Sequence, residues 1–228
     1  MASGTCWGAD IEYPYQPADR ATVLRYLGAA GWTPDASTAA LLDRAEFCLA
    51  EAASPRGVWR VLPDGALDLT NSGEDLARHL QGCGGVVLMA ATLGGGVDAL
   101  LRRLELSDIA LCTAVDATAS AAIEKTCDAV EADARAWAAD RGLYLTGRYS
   151  PGYGDCPLSL QQTLCLALDT PRAMGLTVTP QQLLAPRKSV TAILGAADHP
   201  VTGTRAGCGR CLLRETCAYL KRGTTCAT

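Results

Sequence analysis

The sequence predicts a domain that mixes helices with strands, and three stretches carry that prediction. From Asp116 to Asp140, Ile123, Cys127, Val130, Ala134 and Trp137 step by fours and threes, which lays one apolar stripe along a long amphipathic helix. The run Gly85 to Ala91 (GVVLMAA) is short, apolar and bounded by glycines, the pattern of a buried strand. Pro63-Asp64-Gly65 is a turn signal between short apolar runs, so residues 56–70 read as a β-hairpin.

The remaining elements follow in chain order. Asp19 can cap a helix through Leu27, and Gly28 stops it. Pro34-Asp35 opens a second helix, with Leu41, Leu42, Ala45 and Leu49 at helical spacing. Leu76 to His79 is a short helix. Past the buried strand and its glycine turn, Val97 to Leu104 is helical, and Ile109 to Val115 continues it or forms a separate buried segment. Asp116 stands where the long helix needs an N-cap, and Gly142 where that helix should end. Tyr144 to Thr146 is a strand that leads into a loop, Arg148–Pro157. Ser159 to Leu168 is a helix; Leu176 to Val178 and Val190 to Leu194 are strands. Turn formers across residues 198–207 separate a main body, 1–200, from a Cys-rich tail, 201–228.

Composition narrows the function classes. Of 228 residues, 49% are hydrophobic and 19% charged, enough apolar material for a core and too much for disorder. A net charge of −4 without a basic cluster excludes a nucleic-acid partner. No apolar run reaches the roughly 18 residues of a membrane span, and Met1 to Asp10 lacks a secretion signal; the chain reads as cytoplasmic. Cys48, Cys83, Cys112, Cys127 and Cys165 sit singly in apolar or helical stretches and read as small buried hydrophobes. The two histidines, His79 and His199, are isolated, so no catalytic residue is assigned. Gly94 and Gly96 meet a dinucleotide fingerprint only loosely, without an acid about 20 residues on, and no Lys-Ser/Thr follows them to make a P-loop.

The densest unusual stretch is Arg148-Tyr149-Ser150-Pro151-Gly152-Tyr153-Gly154-Asp155-Cys156-Pro157. Its prolines stiffen the backbone and its glycines permit close approach, while Arg148 can make a forked pair with a carboxylate or phosphate. Arg148, Pro151, Gly152, Tyr153, Cys156 and Pro157 match a pattern, Arg-x-x-Pro-Gly-Tyr followed by Cys-Pro, through which the chain resembles the activation domain of cobalamin-dependent methionine synthase. The likeness covers residues 85–195, with 19–70 a weaker match. It implies an α+β fold with a central twisted, mostly antiparallel sheet flanked by helices. It also implies that the loop binds S-adenosylmethionine: Arg148 on the ligand carboxylate, the backbone at Ser150 on the adenine or amino-acid part, and Pro151, Gly152 and Tyr153 in the same pocket. Glu124, with Asp116 second, would face the cationic ammonium and sulfonium. A tyrosine that the family places near a later strand has no counterpart in Val190 to Leu194, and Asp155 stands where the family has a small residue. The implied activity is reductive methylation of cob(II)alamin. Asp198-His199 has the wrong spacing for an axial-histidine motif, so the cobalamin belongs to a separate partner, a methionine synthase subunit or another corrinoid protein.

Cys208, Cys211, Cys217 and Cys226 place four thiols in 19 residues, a spacing compatible with an iron–sulfur cluster or with zinc. A redox or metal-binding module that uses the body as scaffold is the competing function class; the electron donor is not specified by the sequence.

Overall fold

A computed structural model of the chain describes residues 7–203 and 214–221. The described elements run β1 (Trp7–Glu12), α1 (Arg20–Tyr26), α2 (Ala36–Ala52), β2 (Arg56–Pro63), α3 (Glu74–His79), β3 (Gly85–Thr92), α4 (Gly95–Ser107), α5 (Ile109–Ala139), β4 (Tyr144–Leu145), α6 (Leu160–Leu168), α7 (Thr170–Met174), β5 (Thr177–Val178), β6 (Leu184–Ala185), β7 (Ser189–Ala197) and α8 (Ala218–Lys221). Five strands form an antiparallel sheet in the order β1-β2-β3-β7-β4, and β5-β6 form a separate pair. The α+β architecture with an antiparallel sheet flanked by helices is thus as the sequence led us to expect.

Strand alternation sorts the core into two clusters. Val87, Met89 and Ala91 of β3, with Trp59, Val61, Leu194 and Ala196, point toward α1, α2, α4 and α5. Val86, Leu88 and Ala90, with Val58 and Ile193, point toward α3, α6 and α7. Every residue of β3 is buried, which is why this strand reads as a continuous apolar run rather than an alternating one. On its inner faces α5 presents mainly alanines with Cys127 and Val130, and small side chains let a helix approach its neighbours closely. At Gly57 of β2 the approach is close: an added Cβ would collide with a Val130 methyl and lie 2.8 Å from Tyr13 Cε2.

Helix starts follow the caps. Asp19 and Asp35 each accept from the backbone N–H three residues on, at 2.8 Å. The long helix corrects two expectations. It begins at Asp108, whose carboxylate accepts from Leu111 N at 3.0 Å, so Ile109 to Val115 belong to α5 and Asp116 is not an N-cap. The hairpin over 56–70 is not formed either: β2 pairs with β1 and β3, and the turn at Pro63 leads into irregular chain. β1 and α7 are present where the sequence reading had placed nothing. Cys112, Cys127 and Cys165 are buried, but Cys48 and Cys83 are only half-buried; all five are free thiols.

Candidate functional site

The loop begins as an irregular continuation of β4 along β7. Leu145 pairs with Ala196, and Tyr149 bridges Ile193 with N–H···O bonds of 2.9 Å in both directions. The loop strand advances four residues where β7 advances three. This one-residue bulge at Thr146–Arg148 exchanges the faces: Leu145 lies in the α5 core and Tyr149 in the opposite one. Arg148 therefore reaches α5. Thr146 fixes the bulge through Thr146 N to Gly195 O at 3.0 Å and Gly195 N to Thr146 Oγ1 at 2.8 Å. His79, which the sequence shows as isolated, is buried and packed against the bulge. Its Nε2 lies 2.9 Å from both Gly147 O and Thr146 Oγ1, and because a carbonyl only accepts, this nitrogen carries the proton.

On α5, Arg148 meets three carboxylates. Nη1 donates to Asp128 Oδ1 at 2.9 Å and pairs with Glu131 Oε2 at 3.1 Å, while Nη2 pairs with Glu124 Oε2 at 3.3 Å. Burial opposes the guanidinium charge, but the Cys127 sulfur, Asp128 and Glu131 together hold its pKa above the ordinary arginine value. The structure thus brings together Arg148 and Glu124, both nominated from sequence, and adds Asp128 and Glu131, which were not. The signal for these was present: 124, 128, 131 and 135 repeat the apolar stripe 123, 127, 130 and 134 displaced by one residue, a polar stripe beside the core stripe. Asp116 lies further along α5 and pairs with Lys188 Nζ at 2.8 Å, whose ammonium also donates to Ser120 Oγ at 2.9 Å.

Beyond Arg148 the loop folds on itself. Tyr153 N donates to Ser150 O at 3.2 Å, Gly152 N to Cys156 O at 2.9 Å and Cys156 N to Tyr153 O at 2.9 Å. Gly152 adopts a φ of +93°, which strains any other residue, and Gly154 is packed against the Asp75 carboxylate and the Tyr149 hydroxyl with no room for a side chain. Pro151 is half-buried. Tyr149 is buried, its hydroxyl donates to Tyr153 O at 3.1 Å, and burial, reinforced by Asp75, pushes its pKa up to about 12. Tyr153 is 59% exposed and packs edge-on against Tyr149 with ring centroids 6.3 Å apart. Burial pushes the Cys156 thiol up to about 11, so it is protonated at neutral pH and a poor nucleophile. Asp155 is structural: its oxygens accept from Glu74 N at 2.8 Å and Asp75 N at 3.0 Å, capping α3. Tyr26, at the end of α1, was also missed by the sequence reading. It is half-exposed, and its pKa is raised first by burial and then by Glu124, with Tyr153 a further contributor.

The site is an open surface of one guanidinium, three carboxylates and the exposed ring of Tyr153. Two grooves of about 460 and 490 Å³ lie elsewhere, one along Arg135, Tyr144 and Pro200 and one beside Glu74, Asp155 and Pro157; neither is lined by Arg148 or Tyr153. Among the described residues no group of three or more His, Cys, Asp or Glu side chains is placed to hold a metal. Cys208, Cys211 and Cys226 lie outside the described residues, and Cys217 is a half-buried free thiol. No described helix is long and apolar enough to cross a membrane.

An antiparallel sheet with long helices on one face, and a Pro-Gly-Tyr loop whose arginine turns onto the longest helix, define an activation-domain-like α+β fold. No family model matches the chain, and no curated protein does. Among solved structures it is similar to the crystal structure of the MetH reactivation domain bound to AdoHcy, with a TM-score of 0.66 and 17% identity over 96% of this chain and 86% of that chain. The fold expected from the Pro-Gly-Tyr loop is therefore the fold observed.

Proposed function

We propose that the chain binds S-adenosylmethionine at the Arg148 loop and presents its methyl group to cob(II)alamin held by a separate corrinoid protein. The observation that carries this reading is Arg148 itself, turned by the bulge onto α5 and held there by carboxylates that are partly open to solvent. The residues fit the ligand. A guanidinium fork suits the carboxylate of an amino acid. Glu124 and Asp128, released from it, would face the ammonium and sulfonium, with Ser150, Pro151 and Gly152 as the wall and Tyr153 and Tyr26 as the rim. Similarity to a domain whose crystal structure holds AdoHcy supports the same reading.

In that activity S-adenosylmethionine supplies the methyl group, and an electron from a separate donor makes the cobalt nucleophilic. The chain's own residues bind and orient: a fixed carboxylate anchor limits the directions the methyl group can take, and orientation is the main catalytic resource when no proton is transferred. Calorimetric titration with S-adenosylmethionine tests the reading. The expected result is binding that Arg148→Ala weakens by at least about tenfold; no binding to the wild type would remove it. The four-thiol tail is proposed to hold a soft metal, and metal analysis of anaerobically purified protein at less than one equivalent per chain would refute that.

A further inference from the structure

The three carboxylates on Arg148 are not equivalent. Asp128 is 61% exposed and Glu124 44% exposed, and among the described residues each forms an ion pair only with Arg148. Glu131 is 18% exposed and is shared. Its Oε1 accepts from Arg135 Nε at 2.7 Å and pairs with Arg135 Nη2 at 2.6 Å. Arg135 in turn donates to Leu145 O at 2.9 Å and Thr146 O at 2.6 Å. A continuous path of charge-assisted bonds thus runs from the bulge backbone through Arg135 and Glu131 to the Arg148 side chain, three residues after the backbone it starts from.

Exposed ion pairs in water contribute little and exchange readily. A carboxylate shared between two guanidiniums and largely shielded from water leaves less readily, because both lose a partner with it. We propose that Glu131 is the positioning residue for Arg148: it stays on the guanidinium when ligand binds, while Glu124 and Asp128 are the partners that the ligand carboxylate displaces. This rests on the reading of Arg148 as the group that holds that carboxylate. Glu131 and Arg135 then set the plane of the fork, and with it the preference for a ligand bearing an α-carboxylate.

The test compares S-adenosylmethionine with its decarboxylated form, which lacks the group Arg148 would receive. Wild type should prefer the carboxylate-bearing ligand by about tenfold or more. Glu131→Gln should bring that preference down to the level of Arg148→Ala while leaving affinity for the decarboxylated ligand in place. An unchanged preference, or an equal loss for both ligands, overturns the proposal. A ligand-free measurement runs beside it: phenylglyoxal labelling of Arg148, read by peptide mass spectrometry. Glu131→Gln should raise the labelling rate by about threefold or more, since one of three charge-assisted partners is weakened. Unchanged labelling overturns the positioning role, whereas failure of wild type to bind either ligand overturns the S-adenosylmethionine reading instead.

Discussion

One face of the sheet is covered by α2, α4 and α5, helices of 17, 13 and 31 residues; the other is closed by α3, α6 and α7, none longer than nine, and by the Arg148–Pro157 loop. The long-helix face is tied together by repetition: small residues at helical spacing, back-bonded hydroxyls such as Thr118 to Ala114 O at 2.7 Å, and local caps. The loop face is tied together by single contacts between distant residues, such as Asp155 on the α3 amides and His79 at the bulge. Arg148 starts from the second kind of structure and ends on the first. Substitutions among the packed helices should therefore be felt as stability, and those at Arg148 as binding.

Gly57→Ala gives the largest expected effect on the helix face. The new methyl must displace Val130 or Tyr13, and overpacking of this kind costs about 1–3 kcal/mol; denaturant titration should show it, with ligand affinity retained. Equal losses of stability and affinity would erase the distinction between the faces. Arg148→Ala comes next, with an expected loss of about 1.4 kcal/mol in ligand binding and a thermal midpoint close to wild type, because its partners Asp128 and Glu124 remain hydrated and Glu131 keeps Arg135. The smallest effect is that of Asp155→Asn. The α3 amides lower the Asp155 pKa, so its contribution to stability is complete above the ordinary carboxylate range and is lost as pH falls through its lowered value. The variant should melt below wild type at neutral pH and converge with it in acid, as followed by circular dichroism. A constant difference across that range would mean the cap acts through shape rather than charge.

The same contrast explains what could be read from the sequence. Caps such as Asp19 and Asp35 lie three residues from the amides they bond, and the stripe on α5 repeats within a few turns, so both are legible. Asp116 misled because a polar residue between two apolar segments looks like a helix start; its partner, Lys188, is 72 residues away. β1 alternates, with Ala9 and Ile11 half-buried between exposed Gly8, Asp10 and Glu12, but its acids and glycine are poor strand formers. Their partners, Arg60 and Arg56, lie in β2. In the site, Arg148 and Glu124 were legible through the loop's resemblance and Glu131 through spacing alone. His79 was not legible, since it reaches the bulge from 67 residues away in the chain.

The bulge beside Gly147 has a consequence for reading related chains. It is a change of phase: before it, odd-numbered residues of this edge face the long helices, and after it, even-numbered ones do. Were the same residues paired without the bulge, Tyr149 would stand opposite Ala192 instead of Ile193, its ring would turn onto α5 and the guanidinium would point toward the short helices, with every residue type in the motif unchanged. A chain can therefore carry the full Arg-x-x-Pro-Gly-Tyr pattern and still present the wrong side of it. Whether the charge faces α5 is decided by how one edge strand is paired.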